Sequence, residues 1–153
     1  MSDMQDCSPE QCSHAAKVGR YVMMGGKDDT EFPCKVTSTQ SSRPGKHGHA
    51  KLNFMGVDIF SGKKYNRICP AHQNIMVPEV KRTEYPLIDM EKGVSVTMLD
   101  ENGETYVLDY SAFPSEDKAD ELFALFTTDI PLVATVLSAV GQEQICEWRE
   151  DKS

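Results

Sequence analysis

Val94-Ser95-Val96-Thr97-Met98-Leu99-Asp100-Glu101-Asn102-Gly103-Glu104-Thr105-Tyr106-Val107-Leu108 reads as two strands joined by a turn. Val94, Val96 and Met98 alternate with Ser95 and Thr97, the two-residue period of a strand with one face buried. Asp100-Glu101-Asn102-Gly103 contains Asn-Gly, a pair that accepts the backbone angles of a hairpin turn. Tyr106 and Leu108 continue the return strand. Before this hairpin, Tyr85 to Met90 is a further strand. After it, Pro114-Ser115-Glu116-Asp117 opens a helix that runs to about Phe126. Its acidic residues suit the positive N-terminal end of a helix, and Leu122, Phe123, Leu125 and Phe126 supply its apolar face. Leu132 to Val140 is β-prone, and Ile145 to Arg149 closes the chain with Trp148.

Three strands, a helix and two more strands are the order of a five-stranded barrel of the oligonucleotide-binding type, whose helix lies between the third and fourth strands. The first half reads differently. Tyr21 to Met24 is a short strand, Lys27 to Glu31 a charged turn, and Cys34 to Thr39 a strand. Lys51 to Phe60 is another, with Gly56 marking a bulge or a close backbone approach. Ser61-Gly62 is a turn, Ile68-Cys69-Pro70 ends a further element, and Asn74 to Val80 is a strand interrupted by Pro78. About five short strands without a long helix fit a small barrel. The expected organisation is therefore a disordered acidic tail over 1–13, a first domain over 14–80 and a second over 83–150, with the boundary in Pro78 to Thr83.

The formal charge of −8 is unevenly spread. Residues 14–82 carry twelve Lys/Arg against five Asp/Glu, while residues 83–153 carry four against sixteen. A basic first half can meet an anionic partner such as RNA; the plainer reading is that each half has a solvated face of one sign. No run of 18 apolar residues suggests a membrane helix, and the N-terminus has neither the basic nor the apolar region of a signal peptide. The five cysteines, Cys7, Cys12, Cys34, Cys69 and Cys146, are odd in number and widely spaced. They are expected to be cytosolic thiols and not a disulfide framework.

Gln40 to Ala50 has no periodicity, two glycines and a proline, so it reads as a loop. Its eleven residues are many for a hairpin connection, and loops of that length inside a small domain usually carry function. Within it, Lys46 lies between Gly45 and Gly48, beside His47 and His49, with Arg43, Pro44 and Lys51 around them. The loop is cationic on an acidic chain. It is not a nucleotide-binding P-loop, because His47 follows the lysine and a strand follows the loop. It matches the Gly-x-x-Gly clamp of KH domains in letters, but that clamp joins two helices. His47 and His49 could hold a metal only with further ligands, for which Cys69 and His72 are the nearest in sequence. Lys46 as a nucleophile would need a pocket to lower its pKa, and no Ser-His-Asp or Cys-His pattern suggests an enzyme. The two glycines leave the lysine stem clear to enter a narrow channel. Arg43, His47, His49 and Lys51 would line an approach to phosphate as positioning contacts. Lys63, Lys64 and Arg67 either extend that surface toward RNA or are solvated charges at a hairpin end.

Ser38-Thr39, Pro44-Gly45-Lys46-His47-Gly48-His49-Ala50-Lys51, Asp58-Ile59-Phe60-Ser61-Gly62-Lys63-Lys64-Tyr65, Ile68-Cys69-Pro70, His72-Gln73-Asn74 and Val77-Pro78 together resemble the eukaryotic translation initiation factor 5A family. The resemblance extends from about Val18 onward and includes Phe32-Pro33-Cys34-Lys35-Val36 and Thr135-Val136-Leu137-Ser138-Ala139. It implies an all-β-dominated fold, an N-terminal SH3-like barrel followed by a C-terminal OB-fold barrel of five strands with one helix. It implies that Lys46 is converted to hypusine: deoxyhypusine synthase transfers an aminobutyl group from spermidine, and deoxyhypusine hydroxylase completes the residue. It implies no other cofactor and no enzymatic activity of the protein's own. The implied partner is the ribosome, through rRNA and peptidyl-tRNA near the E site. There the modified factor promotes peptide-bond formation at stalled, notably proline-rich, sequences and assists termination, in the cytoplasm and without a membrane. Two features depart from the family pattern. Ser42-Arg43-Pro44-Gly45 stands where Ser-Lys-Thr-Gly is usual, and Pro44 stiffens the loop and removes a donor. Gly26 to Phe32 is several residues longer than usual. A module of the same fold without the modification, or a metal site at His47 and His49, are the alternatives that the residues leave open.

Overall fold

A computed structural model describes residues 7–25, 30–42 and 50–152, and the chain divides into two units, the first running to Val80 and counting Ala139–Gly141, the second made of Lys81–Ser138 and the chain from Gln142 on. The first contains β1 (Cys7–Gln11), α1 (Cys12–Ala15), β2 (Tyr21–Gly25), β3 (Glu31–Ser42), β4 (Lys51–Asp58), β5 (Lys64–Pro70) and β6 (Asn74–Pro78). β2, β3, β4 and β5 form one antiparallel sheet in that order, and β1 pairs with β6 in a second. Alternation decides which residues face inward. Val22, Met24, Cys34, Val36, Phe54, Cys69 and Ile75 are buried, and Cys12, Ala15 and Ala16 from the N-terminal segment join them. Arg67 on β5 donates from its guanidinium to the carbonyl of Met23 on β2 at 3.0 Å. These are the two edge strands of the four-stranded sheet, so the sheet curls until its edges approach.

Three expectations are corrected in this unit. Residues 7–13 are not a disordered tail. Cys7–Gln11 pairs residue by residue with Asn74–Pro78, satisfying backbone groups that β6 would otherwise leave open, and Cys12 is fully buried. Residues 1–6 of the expected tail lie outside the described residues. The strand from Lys51 stops at Asp58, two residues early. The Asp58 carboxylate, 5% exposed, accepts from the Phe60 amide and the Ser61 hydroxyl at 2.9 Å each, which turns the chain. Glu31, expected in a charged turn, is already in β3 opposite Gly25; residues 27–29 of that turn lie outside the described residues. The bulge falls between Val36 and Ser38 on β3, whereas Gly56 is a close approach: a Cβ there would lie 2.6 Å from Met24 Sδ.

The second unit contains β7 (Lys81–Glu91), β8 (Ser95–Leu99), β9 (Thr105–Asp109), α2 (Glu116–Phe126), β10 (Leu132–Ala139) and β11 (Gln142–Glu150). They form a curled five-stranded antiparallel sheet in the order β11-β10-β7-β8-β9, with α2 between β9 and β10 in the chain. The alternation that marked β8 holds at two of its three apolar positions: Val96 and Met98 are fully buried and lie opposite Leu108 and Tyr106 of β9, whereas Val94 precedes the strand and is exposed. The connecting turn is closed by Asp100, whose Oδ1 accepts from the amides of Asn102 and Glu104 at 2.8 and 2.9 Å, while Gly103 takes a φ of +80°. Ser115 caps α2 by accepting from the Lys118 amide at 3.3 Å. The buried face of α2 is Ala119 and Leu122, with Phe123 and Phe126 packed beside them. Leu125, expected on that face, is exposed, because it lies three residues past Leu122 but six past Ala119, turned away from their shared side.

Candidate functional site: the stem of the lysine loop

Arg43, Pro44, Gly45, Lys46, His47, Gly48 and His49 lie outside the described residues; the structure shows the stem that carries them. β3 and β4 pair without interruption from Ser38–Met55 to Ser42–Lys51, so the loop leaves and re-enters a regular antiparallel ladder. β4 is paired on its other side as well, Lys51 with Pro70 and Leu52 with Cys69. The stem therefore sits on strands hydrogen-bonded across, not on a lone ribbon, and isolated two-stranded ribbons are only marginally stable.

Where the loop rejoins β4, Ala50 is held from outside the hairpin. The Ala71 amide donates to the Ala50 carbonyl at 2.9 Å, and the Ala71 carbonyl accepts from the Ser13 amide at 3.0 Å. The Cys12 amide donates to the Gln73 carbonyl at 2.8 Å. Cys12 is joined by a disulfide to Cys69, which is paired with Leu52 of the stem. This corrects the expectation that all five cysteines are thiols: Cys7, Cys34 and Cys146 lie outside any disulfide, whereas Cys12 and Cys69 are bonded. Spacing could not show it, because the bond joins positions 57 residues apart that meet only when α1 packs on β5. Cys12, Ser13 and Ala71 are thus supports of the loop that no local motif marks.

The basic residues do not all gather here. Lys51 is exposed at the stem. Lys63 and Lys64 are exposed too, but Lys64 pairs with Val57, six residues along β4 from Lys51, a distance of roughly 20 Å in a strand. Arg67 is half-buried, its guanidinium on the Met23 carbonyl and 3.6 Å from Glu31. Its place in the sheet accounts for its charge without an external phosphate. Among the described residues no group of three or more His, Cys, Asp or Glu is placed to hold a metal ion, and Cys69, the suggested partner of the loop histidines, is in the disulfide. Burial, with the Asp58 carboxylate nearby, pushes the Cys34 thiol up to about 12, which removes its thiolate character and leaves it a packing group.

Comparison with known proteins matches both units. Residues 5–73 fit the family model described as translation initiation factor 5A-like, N-terminal. Residues 79–149 fit that described as eukaryotic elongation factor 5A hypusine, DNA-binding OB fold. The chain is 41% identical over 143 residues to eukaryotic translation initiation factor 5A-1/2 of Solanum tuberosum, covering 93% of this chain and 84% of that one. It is 40% identical over 137 residues to the factor 5A of Dictyostelium discoideum, covering 90% and 80%. The solved structure of a factor 5A family protein from Naegleria fowleri superposes with a TM-score of 0.82 at 39% identity, covering 94% of this chain and 99% of that chain. Both family models, matched across the two units, describe translation factors. The chain belongs to the eukaryotic translation initiation factor 5A family.

Proposed function

We infer that the chain acts on the ribosome as a translation factor whose working group is Lys46 in its hypusine form. The first unit reads as an SH3-like barrel and the second as an OB barrel. The observation that carries the reading is the string Gly45-Lys46-His47-Gly48-His49-Ala50 at the head of a stem paired on both sides of β4. Such a stem gives the cationic group a fixed origin. Hypusine lengthens the lysine stem and adds a second amine, making a slender cation able to reach between RNA phosphates and the acceptor end of a tRNA. It transfers no proton of its own; it holds the peptidyl-tRNA, and holding reactants in place lowers a barrier when they are otherwise poorly placed. Proline-rich peptides, whose proline nitrogen is a poor attacking group, are the substrates that gain most. Arg43, His47, His49 and Lys51 position phosphate, Gly45 and Gly48 give clearance, and Pro44 stiffens the approach. The implied partners are rRNA and peptidyl-tRNA near the E site, with deoxyhypusine synthase and deoxyhypusine hydroxylase as the modifying enzymes, in the cytoplasm. Among the described residues no helix is long and apolar enough to cross a membrane.

The test is the mass of the peptide containing Lys46 from native material. It should exceed the unmodified mass by one hydroxylated aminobutyl group, and Lys46→Arg should abolish the increment. An increment on another lysine, or none, overturns the reading. Pro44 favours a second reading, the same fold without modification; incubation with deoxyhypusine synthase and labelled spermidine separates the two, because that reading requires no label at Lys46.

A further inference from the structure

Two aromatic rings stand at an open end of the second unit's core. Tyr85 on β7 and Tyr106 on β9 stack with centroids 4.9 Å apart and planes 29° from parallel, reaching past the intervening β8. Both are packed against the core yet only partly buried. With Pro86 and Leu99 they form the apolar wall of a cavity of about 480 Å³, and Asp100 and Glu101 from the β8–β9 turn stand at its rim. This volume is in the range of small-ligand clefts, larger than packing alone leaves between core side chains.

The chemistry of the lining selects a cation. A tyrosine face carries negative potential and attracts a cation placed over it, and the carboxylates at the rim add to that attraction. Glu84, which also lines the cavity, already holds one guanidinium: Arg149 donates from Nε and Nη2 to its two carboxylate oxygens at 3.1 Å each. Residues 83–153 carry four Lys/Arg against sixteen Asp/Glu, so a phosphate backbone approaching this unit is repelled and a basic segment is drawn in. Between the two basic side chains, arginine fits better. Its planar guanidinium stacks on a ring while pairing with a carboxylate, and it gives up its hydration more readily than an ammonium.

We propose that the cavity lined by Tyr85, Tyr106, Pro86, Leu99, Asp100 and Glu101 is a docking site for an arginine side chain presented by a basic segment of a partner protein. The guanidinium stacks on the exposed tyrosine face and pairs with Glu101, and its methylene stem lies along Pro86 and Leu99. Neither the lysine loop nor its modification takes part, so the site operates whether or not Lys46 is modified.

The test is titration of the full chain with a labelled arginine-rich peptide, a lysine peptide of equal length and charge, and a single-stranded uridine oligonucleotide, read by fluorescence anisotropy. The arginine peptide should bind several-fold more tightly than the lysine peptide, and the oligonucleotide should not compete. Tyr106→Leu, which keeps apolar bulk and removes the ring, should weaken arginine-peptide binding about two- to fivefold, the scale of an exposed cation–π contact. Glu101→Gln, on an exposed turn where no folding defect is expected, should weaken it by a similar factor of about two to five. Equal binding of the two peptides with both variants unaffected would assign the attraction to the diffuse charge of the unit and overturn the site. Displacement of the peptide by the oligonucleotide would overturn the choice of ligand.

Discussion

The amide of Ala71 donates to the carbonyl of Ala50 at 2.9 Å, so the β5–β6 turn grips the residue where the lysine loop rejoins its stem. The same turn is gripped in its turn by Ser13, whose amide reaches the Ala71 carbonyl at 3.0 Å. The N-terminal segment and the loop thus share one hydrogen-bonded link. Ala71→Pro removes the donor, leaves the Ala50 carbonyl unpaired, and is expected to cost about 1–3 kcal/mol. Ala71→Ser keeps the amide and should cost little. Urea denaturation measures the difference. If the link also positions the loop, transfer of label from spermidine to Lys46 by deoxyhypusine synthase should slow for Ala71→Pro and not for Ala71→Ser.

Cys12 and Cys69 tie that same N-terminal segment to the strand beside the stem. A cross-link between positions 57 residues apart restricts the unfolded chain and is worth about 2–4 kcal/mol. Unfolded without reductant, the oxidised protein should therefore offer Cys7, Cys34 and Cys146 to an alkylating reagent and withhold the other two of its five cysteines. Reductant should lower the denaturation midpoint of the parent chain and leave that of the Cys12→Ala/Cys69→Ala double variant unchanged. Alkylation of all five in unreduced protein would show that the bond is not formed in that sample.

How much of this was readable in advance follows from the range of each interaction. The β8–β9 hairpin is written locally, in the alternation of Val96 and Met98 and the Asn102-Gly103 turn, and α2 in its Ser115 cap and acidic first turn. The lysine loop is legible as a string of residue types around Lys46, but its stem only in part: Gln40, Ser41 and Ser42, polar residues that read as loop, continue β3 because β4 offers them partners from Asn53 to Lys51. The supports of that stem were not legible. β1 is polar, contains Pro9 and has no apolar alternation; it is a strand only because β6 offers it an edge. Arg67 looked like surface charge because its partner, the Met23 carbonyl, lies 44 residues away. Lys63 and Lys64 looked close to the loop because they are near it in sequence, but a strand separates them from it.

Gly56 is held by its neighbours more than by its backbone. A Cβ at this position would meet Met24 Sδ at 2.6 Å, Cys34 Cβ at 3.2 Å and the Lys35 carbonyl oxygen at 3.2 Å. The thioether is the end of an adaptable side chain and can move, but the other two belong to β3 and cannot do so without displacing it. Gly56→Ala should therefore destabilise the first unit by about 1–3 kcal/mol, the usual penalty for overpacking. Shortening Met24 in the same chain should recover only the part due to the sulfur contact. Denaturation followed by a probe confined to the first unit would measure both; a neutral Gly56→Ala would show that β3 yields more easily than its pairing on both sides indicates.

Cys34 makes stability fall at alkaline pH. Its side chain is fully buried and sits on β3 opposite Asp58. Burial first, and the Asp58 carboxylate second, hold the proton on the thiol until about 12, against an ordinary value of 9.0. The folded state thus keeps a proton that the unfolded state releases. Its contribution to stability is complete below the ordinary value and is lost as pH rises from there toward 12. Tyr110 acts in the same direction in the second unit: burial, then its hydrogen bond to Asp120, raises the phenol from 10.0 to about 12. Unfolding free energy should accordingly decline above about pH 9. Cys34→Ala should flatten the part of that decline that belongs to the first unit, whatever it costs at neutral pH through the lost packing. In the folded protein near pH 9, Cys7, only partly buried, should react with an alkylating reagent while Cys34 remains unmodified. Equal alkylation of the two would mean that the thiol is reachable and ionisable in place, and the alkaline decline would then need another source.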